Sequence, residues 1–196
     1  RDGLLGRPSH DVDIATDARW QEVQRVAEAA GLRTHETGVK HGTLTVTVPL
    51  DAAGDVVPAE VAKHWEAVEV TTYRIEGPYE DGRRPSSVTA ARTIEEDLAR
   101  RDFTMNALAF HPARGIADPY GGAADMAAGI IRIVGDPDAR FAEDGLRILR
   151  ACRFASQLGF ALEGATYEAM LSHKHLLARV STERITHELD AFVAGA

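Results

Sequence analysis

Residues 11–16 read Asp11-Val12-Asp13-Ile14-Ala15-Thr16, so acidic and apolar side chains alternate along this stretch. Alternation with a period of two predicts a β-strand, and it places the carboxylates of Asp11 and Asp13 on the same face. Two carboxylates that point together repel each other unless a cation lies between them, and oxygen ligands favour Mg²⁺ or Mn²⁺. A solvated strand edge is the alternative. Glu69, in the β-branched run 67–73, is the best-placed third carboxylate, although an exposed strand residue would look the same.

Regular elements are predicted on both sides of this strand. Periodicity, turn residues and β-branched runs predict the following elements: a strand at 10–15, a helix at 19–30, strands at 43–48 and 67–73, a Gly- and Pro-rich loop at 75–89, and helices from residue 118 onward, the longest at 142–158. The expected fold class is therefore α+β, with a mixed sheet and helices followed by an all-helical segment.

Composition restricts the class of protein. The 196 residues are 44% hydrophobic and 27% charged, which is typical of a packed globular chain. A net charge of -8 argues against non-specific coating of nucleic acid, although local arginine clusters can still bind phosphates. No apolar run approaches the ~20 residues of a membrane helix. Cys152 is the single cysteine, so an internal disulfide is excluded and a reducing compartment is favoured. The chain lacks an initiator methionine and stops in a helical pattern, so we expect truncation at both ends.

A second group of candidate residues lies on the predicted helix 142–158. Asp144, Arg147, Arg150 and Arg153 are spaced three apart, which predicts one polar stripe beginning with an acid. Aspartate only accepts hydrogen bonds and arginine only donates them. Cytosine and adenine present an amino donor beside a ring-nitrogen acceptor, whereas uracil and guanine present the reverse order. An Asp–Arg pair one turn apart is therefore suited to select C and A; a solvated, salt-bridged face is the alternative.

Six motifs in chain order resemble the class II tRNA nucleotidyltransferase and bacterial poly(A) polymerase family, within the polymerase-β-like nucleotidyltransferases. They lie at 1–7 with 11–16, at 41–46 with 69–74, at 97–109, at 118–122, at 143–154 and at 183–185. The resemblance implies a polymerase-β-like head at 1–117 and a helical neck at 118–196. It also implies a cytoplasmic enzyme that adds CMP and AMP from CTP and ATP to the 3′ end of tRNA, without a nucleic-acid template.

The same resemblance implies a role for each matching residue. Asp11 and Asp13 would hold two Mg²⁺ ions, with Mn²⁺ as an alternative, and Glu69 would be the third catalytic carboxylate. The residues expected to bind the nucleotide are Arg1, Arg101, Asp102, Asn106, Asp144, Arg147, Arg150 and Arg153. Among these, Asp144 and Arg147 would act as the template for the base, and Asn106 would order its loop. Asp81 and Arg83 would be the working residues of a flexible loop, for which a disordered linker is the alternative.

Several alternatives remain open at this stage. A poly(A) polymerase or an A-adding enzyme of the same family shares the Asp–Arg motif. A catalytically impaired RNA- or nucleotide-binding fragment is a second class, supported by the absence of the family's Gly-Gly turn before Arg1. A metal-dependent glycosyltransferase also uses paired aspartates, but it predicts nothing about the arginine-rich helix. The sequence does not indicate an oligomeric state.

Overall fold

The computed structural model describes residues 1–7, 12–77 and 86–194. The chain forms two compact units. We call them the sheet unit (Pro8–Ile75 and Ala90–Glu96) and the helical unit (Arg1–Arg7, Glu76–Thr89 and Asp97–Ala196). The predicted boundary between head and neck, at residue 117, falls inside the helical unit, and the division at that position stays a prediction. No helix in the described ranges is both long and apolar enough to cross a membrane.

A four-stranded mixed sheet dominates the sheet unit, in the order β1-β4-β3-β2. Its elements are β1 (Asp13–Thr16), α1 (Trp20–Ala29), β2 (Arg33–Gly38), a 3₁₀ turn (Val39–His41), β3 (Thr43–Leu50) and β4 (His64–Thr72). Strand β1 runs parallel to β4, whereas the β3–β4 and β2–β3 pairs are antiparallel. The mixed sheet expected from the sequence is thus confirmed.

Alternation along β3 creates two different faces of this sheet. Leu44 and Val46 are buried and pack with Val70 of β4 and Ala27 of α1 in one apolar cluster. The intervening threonines of β3 point to the opposite face, because successive strand residues alternate sides. Helix α1 covers only the apolar face, so the polar side chains of the sheet, including those of Asp13 and Glu69, lie on the other face.

Helices form most of the helical unit. Three short elements lie where the chain passes between the units: β5 (Arg74–Glu76), β6 (Val88–Ala90) and α2 (Ile94–Ala99). They are followed by a 3₁₀ turn (Thr104–Asn106), β7 (Ala109–His111), β8 (Gly115–Ala117), α3 (Gly122–Ala128), β9 (Ile130–Ile131), α4 (Pro137–Glu143), α5 (Leu146–Leu158), β10 (Ala161–Leu162), α6 (Gly164–His173), a 3₁₀ segment (Lys174–Arg179) and α7 (Thr182–Ala194). The short strands β9 and β10 pair in parallel, and in chain order they lie among the helices of the predicted neck.

The core of the helical unit is built around aromatic side chains. Phe103 and Phe154 meet edge to face, with ring centroids 5.8 Å apart and planes at 84°. This arrangement is favoured by the quadrupoles of the two rings. Phe141, Met105 and Ile131 are fully buried in the same cluster. The cluster fixes α5 against the 3₁₀ turn at Thr104–Asn106, which is the segment that carries Asn106.

The predicted helix at 142–158 is wrong in one respect, because it is broken at Asp144. Helix α4 ends at Glu143 and α5 begins at Leu146, while Asp144 is extended with φ -150° and ψ 104°. The side chain of Asp144 accepts a 3.0 Å hydrogen bond from the Leu146 amide, as an N-terminal cap does. Gly145 lies against a backbone neighbour, since a Cβ there would come within 3.1 Å of the Leu176 carbonyl group. Asp144 therefore lies in a turn before α5 and does not begin a stripe on it.

Candidate functional site

Asp13 and Glu69 lie side by side on the open face of the sheet. They are direct register partners on the parallel strands β1 and β4, and Thr45 of β3 is the register partner of Glu69 on its other side. Among the described residues, Val12 and Ala67 line a cavity of about 450 Å³ together with these three residues. Both carboxylates are exposed, so water or a cation can reach them.

The chemistry of this pair suits a divalent cation. Neighbouring strands are about 4.8 Å apart, so two carboxylates in register face each other at a distance that a bridging ion can span. Hard oxygen ligands are those that Mg²⁺ prefers. Asp11 would extend the set, but it lies outside the described residues. In the described ranges, no three side chains of His, Cys, Asp or Glu lie together as a metal site.

Asp102 is the centre of a hydrogen-bond network in the helical unit. Its Oδ1 accepts hydrogen bonds from the Phe103 amide at 2.7 Å and from Asn106 Nδ2 at 3.0 Å. Its Oδ2 accepts from Arg150 Nε at 2.8 Å and pairs with Arg150 Nη2 at 2.7 Å. Burial alone would raise the pKa of the Asp102 carboxyl, but the charge of Arg150 and the donated hydrogen bonds together lower it. Asp102 is therefore held ionised, with hydrogen bonds to both oxygens.

The network continues through Arg150 to α7. Arg150 Nη1 donates to Glu188 Oε1 at 3.3 Å, and Arg153 Nε donates to Glu188 Oε2 at 2.7 Å. Burial would lower the pKa of Arg150, yet Asp102 and Glu188 raise it, so its guanidinium stays charged. At the other end of the network, Arg1 Nη1 donates to Asn106 Oδ1 at 3.0 Å. Segments far apart in the sequence are thereby joined by charged hydrogen bonds.

The two residues predicted to read the base occupy separate ion pairs. Arg184 of α7 donates to both oxygens of Asp144, at 3.2 Å to Oδ1 and 2.7 Å to Oδ2. Arg147 Nη1 donates to Glu143 Oε2 at 2.6 Å and to a backbone carbonyl of α4 at 2.7 Å. Only 8% of the Arg147 side chain is exposed. Asp144 and Arg147 are therefore both fixed in place, each by a partner on another segment.

Arg101 is anchored by the buried residue Asp97. Arg101 Nη2 pairs with Asp97 Oδ2 at 3.2 Å, and Arg100 Nη2 pairs with Asp97 Oδ1 at 2.8 Å. Asp97 is 1% exposed, and its two oxygens tie two consecutive arginines to α2. Over the described residues, Arg101 Nε is the one buried side-chain nitrogen or oxygen without a hydrogen-bond partner. A buried donor of this kind is costly unless a ligand or water satisfies it.

The structure thus groups the predicted site residues into distinct sets. Asp13 and Glu69 are adjacent on the sheet. One network contains five of the residues predicted to bind the nucleotide: Arg1, Asp102, Asn106, Arg150 and Arg153. Asp144, Arg147 and Arg101 have other partners. Asp11, Asp81 and Arg83 lie outside the described residues.

Sequence reasoning missed the acids that hold these arginines. Glu188 is 5% exposed, and it lies three residues after Ile185 and four before Phe192, so an acid interrupts an otherwise apolar stripe. That interruption was a readable signal, because a charged residue on a buried helix face needs a partner. Asp97 precedes a pair of arginines at helical spacing, which is a weaker signal of the same kind.

Comparison with known proteins decides the family. Residues 1–132 match the family model described as the poly A polymerase head domain. The chain belongs to the poly A polymerase head domain family. Residues 159–195 of this family member match a second model, described as the probable RNA and SrmB-binding site of polymerase A. Nucleotidyltransferases of this family generally use divalent metals.

Relatives of this poly A polymerase head domain protein are much longer. The chain is 47% identical over 195 residues to a CCA-adding enzyme of Geobacillus thermodenitrificans, covering 100% of the chain and 44% of the relative. Its fold is similar to that of the Bacillus stearothermophilus CCA-adding enzyme in complex with CTP, with a TM-score of 0.80 and 43% identity over 99% of this chain and 42% of the other. A tRNA nucleotidyltransferase complexed with a primer tRNA and an incoming ATP analog gives a TM-score of 0.71 at 28% identity, over 97% and 51% of the two chains.

Proposed function

We propose that this chain carries the catalytic and nucleotide-selecting part of a tRNA nucleotidyltransferase. The enzyme adds CMP and AMP, from CTP and ATP, to the 3′ end of tRNA without a nucleic-acid template. The observation that carries the proposal is the register of Asp13 with Glu69, which sets two carboxylates side by side on the open face of the sheet. The names of the relatives, CCA-adding enzyme, support the same reaction.

The reaction is an in-line phosphoryl transfer. The 3′ oxygen of the RNA bonds to the α-phosphorus while the bond from that phosphorus to pyrophosphate breaks, and the hydroxyl proton leaves to water. Two divalent cations, Mg²⁺ with Mn²⁺ as an alternative, supply activation of the hydroxyl and neutralisation of the triphosphate. Asp11 and Asp13 would hold them, with Glu69 as the third carboxylate. The exposed oxygen donors of Asp13 and Glu69 fit such ions.

Selection of the base falls to Asp144 and Arg147. Within the described residues, Asp144 Oδ2 accepts one hydrogen bond, from Arg184. A carboxylate oxygen can accept two hydrogen bonds. The remaining acceptor position suits the exocyclic amino group of cytosine or adenine. Arg147 supplies the donor for the adjacent ring nitrogen. Uracil and guanine offer a carbonyl where Asp144 needs a donor, so they are rejected.

The remaining candidates bind or order the triphosphate and ribose. Arg1, Arg101, Arg150 and Arg153 contribute guanidinium groups, which are suited to phosphate because they donate two parallel hydrogen bonds. Asp102 and Asn106 complete this group, with Asn106 ordering its loop through the bonds to Arg1 and Asp102. The flexible loop contributes Asp81 and Arg83. We also propose a cytoplasmic location, which a tRNA substrate supports.

A poly(A) polymerase is the second candidate, because the family model that matches residues 1–132 is described as a poly A polymerase head domain. The two candidates, together with an A-adding enzyme, differ in what they extend. The test is nucleotide incorporation on tRNA transcripts that end at the discriminator, after C and after CC, with CTP, ATP or both and Mg²⁺.

Addition of two C residues and then a single A is the expected result. A-only extension of the CC-ended transcript would identify an A-adding enzyme, and long A tails on any RNA would identify a poly(A) polymerase. If Asp13→Asn incorporates nucleotide as well as the unmodified chain, the metal assignment is wrong. If the chain binds RNA and nucleotide but adds nothing, even within a full-length relative's scaffold, it is a binding fragment.

A further inference from the structure

Glu188 is a buried acid that faces two arginines from another helix. It is 5% exposed on α7, whereas Arg150 and Arg153 belong to α5, more than thirty residues earlier. Each carboxylate oxygen accepts from one of them, at 3.3 Å from Arg150 Nη1 and at 2.7 Å from Arg153 Nε. A carboxylate at this depth is stable only because both partners are present, since an unpaired buried charge is strongly destabilising.

Three guanidinium groups gather around one aromatic ring beside this acid. The Cζ atoms of Arg1, Arg150 and Arg153 lie 5.0, 5.5 and 4.2 Å from the centroid of the Phe154 ring. We call these three side chains the guanidinium cluster. Like charges so close together repel one another, and the ring face offsets only part of that repulsion. The carboxylate of Glu188 also offsets this repulsion, because it accepts hydrogen bonds from two members of the cluster.

Part of the hydrogen-bonding capacity of the cluster remains available to a ligand. Arg153 donates through Nε to Glu188 and through Nη1 to Gln157 at 3.0 Å, and no described hydrogen bond uses its Nη2. The Arg153 side chain is 14% exposed, so part of it reaches solvent. Arg150 is also 32% exposed. Phosphate oxygens can therefore approach these donors while Glu188 keeps its own bonds.

We propose that Glu188 is a positioning residue for phosphate binding: it holds the guanidinium groups of Arg150 and Arg153 in the arrangement that accepts the triphosphate of a nucleotide. This inference rests on the proposed function. The charges of Asp102 and Glu188 balance those of Arg150 and Arg153. Because that group is neutral overall, its affinity for an anion comes from aimed donors and not from excess positive charge.

This reasoning makes the sign of a substitution diagnostic. Glu188→Gln keeps the shape of the side chain, removes one negative charge and turns one acceptor into a donor that faces a guanidinium group. Coulomb attraction alone predicts tighter binding of a polyphosphate to Glu188→Gln, because the site becomes more positive. Positioning predicts weaker binding, because one arginine loses its acceptor and its orientation.

The experiment measures binding of inorganic tripolyphosphate and of Mg²⁺-ATP to the 196-residue chain by calorimetry. Glu188→Gln is expected to weaken the affinity for both ligands by about tenfold, the order of one hydrogen bond to a charged group. Glu168→Gln removes the same charge from an exposed position of α6 and serves as the charge-matched control. Ile131→Val reduces packing in the core and serves as the stability control. Both controls are expected to bind as the unmodified chain does.

A double-mutant cycle separates positioning from general loosening. In an Arg150→Gln, Arg153→Gln background, Glu188→Gln should change the affinity less than about twofold, since the groups it acts through are gone. If Glu188→Gln is unfolded by circular dichroism, Glu188→Asp replaces it. That variant keeps the charge but is one methylene shorter, and it must weaken binding while Ile131→Val does not.

Three results would overturn the inference. Equal or tighter binding by Glu188→Gln, or an undiminished effect in the double-arginine background, would contradict positioning while the proposed function stands. Unchanged binding by a folded Glu188→Asp, if that variant is needed, would do the same. If the unmodified chain binds neither tripolyphosphate nor Mg²⁺-ATP, the proposed function fails, and this inference fails with it.

Discussion

Replacing Gly122 by alanine should disrupt the contact between α3 and the 3₁₀ turn that carries Asn106. A Cβ on Gly122 would lie 2.6 Å from the Thr104 carbonyl carbon and 2.9 Å from Leu108 Cδ1. Ordinary contact begins at 3.4 Å, so the first of these is about 0.8 Å too close. The obstacle is backbone, and Thr104 is tied down because its hydroxyl donates to Asp125 at 2.7 Å.

The expected cost follows from this geometry. Overpacking a well-packed core costs about 1–3 kcal/mol, and a clash with fixed backbone belongs at the upper end of that range. With a urea m-value of about 2 kcal/mol per M, a loss of about 3 kcal/mol lowers the unfolding midpoint by about 1.5 M. Circular dichroism at 222 nm follows the helices, whereas fluorescence follows Trp20 and Trp65, which both lie in the sheet unit.

Gly164→Ala is the matched control for this prediction. Gly164 begins α6, and a Cβ there meets no atom within 4 Å. Alanine is the better helix former, so Gly164→Ala should be neutral or stabilise the chain by up to about 1 kcal/mol. If Gly122→Ala leaves the midpoint of the circular-dichroism transition unchanged, or if both variants lower it equally, the reasoning from close approach is refuted.

Three further predictions concern charge. Asp13→Asn should abolish nucleotide addition and leave RNA binding by gel shift within about twofold, since only a metal ligand is lost; retained addition would contradict that role. Arg184→Gln should relax discrimination between CTP and UTP by about tenfold, because Asp144 loses its bidentate partner. The measurement is kcat/KM for each nucleotide, and an unchanged ratio of the CTP value to the UTP value would contradict the prediction. The pKa of Asp102 is lower in the folded chain than in the unfolded chain, so as the pH falls the unfolded chain is protonated first. The Asp102 carboxylate therefore stabilises the folded chain above about pH 4, and this stabilisation is lost as the pH falls further. Asp102→Asn should therefore flatten the loss of stability between about pH 4 and pH 2 in thermal melts, and an identical slope in both proteins would show that the carboxylate is not the titrating group.

Local patterns were sufficient to predict three of the four strands of the sheet, whereas β2 (Arg33–Gly38) was not predicted. The alternation around Asp13 and the β-branched run around Glu69 predict two strands, and the structure has both strands as parallel neighbours with Asp13 and Glu69 in register. The apolar positions that predict a helix at 19–30 match α1, Trp20–Ala29. These features depend on residues close together in the sequence, so a periodic pattern contains the information.

The break at Asp144 and the role of Glu188 depend on distant segments. The helical period continues across Asp144 and Gly145, so periodicity alone predicts one helix; the Asp-Gly pair was the local sign of a turn. The close approach of Leu176 to Gly145 adds a tertiary reason that no local pattern contains. At Glu188 the sequence shows an acid within an apolar stripe, but it does not show the partners, which are arginines 35 and 38 residues away that α7 meets by packing on α5.

The helical unit begins with Arg1–Arg7 and resumes twice later in the chain. Any single cut in the polypeptide therefore leaves part of this unit on each fragment. Expression as two fragments divided between residues 7 and 97 would require them to reassociate before Arg1 could contact Asn106 and the Phe154 ring. In evolution, recombination with one crossover would combine parts of this unit from two parents. Charged partners on opposite sides of the crossover would then come from different parents, so we expect selection to keep compatible partners together.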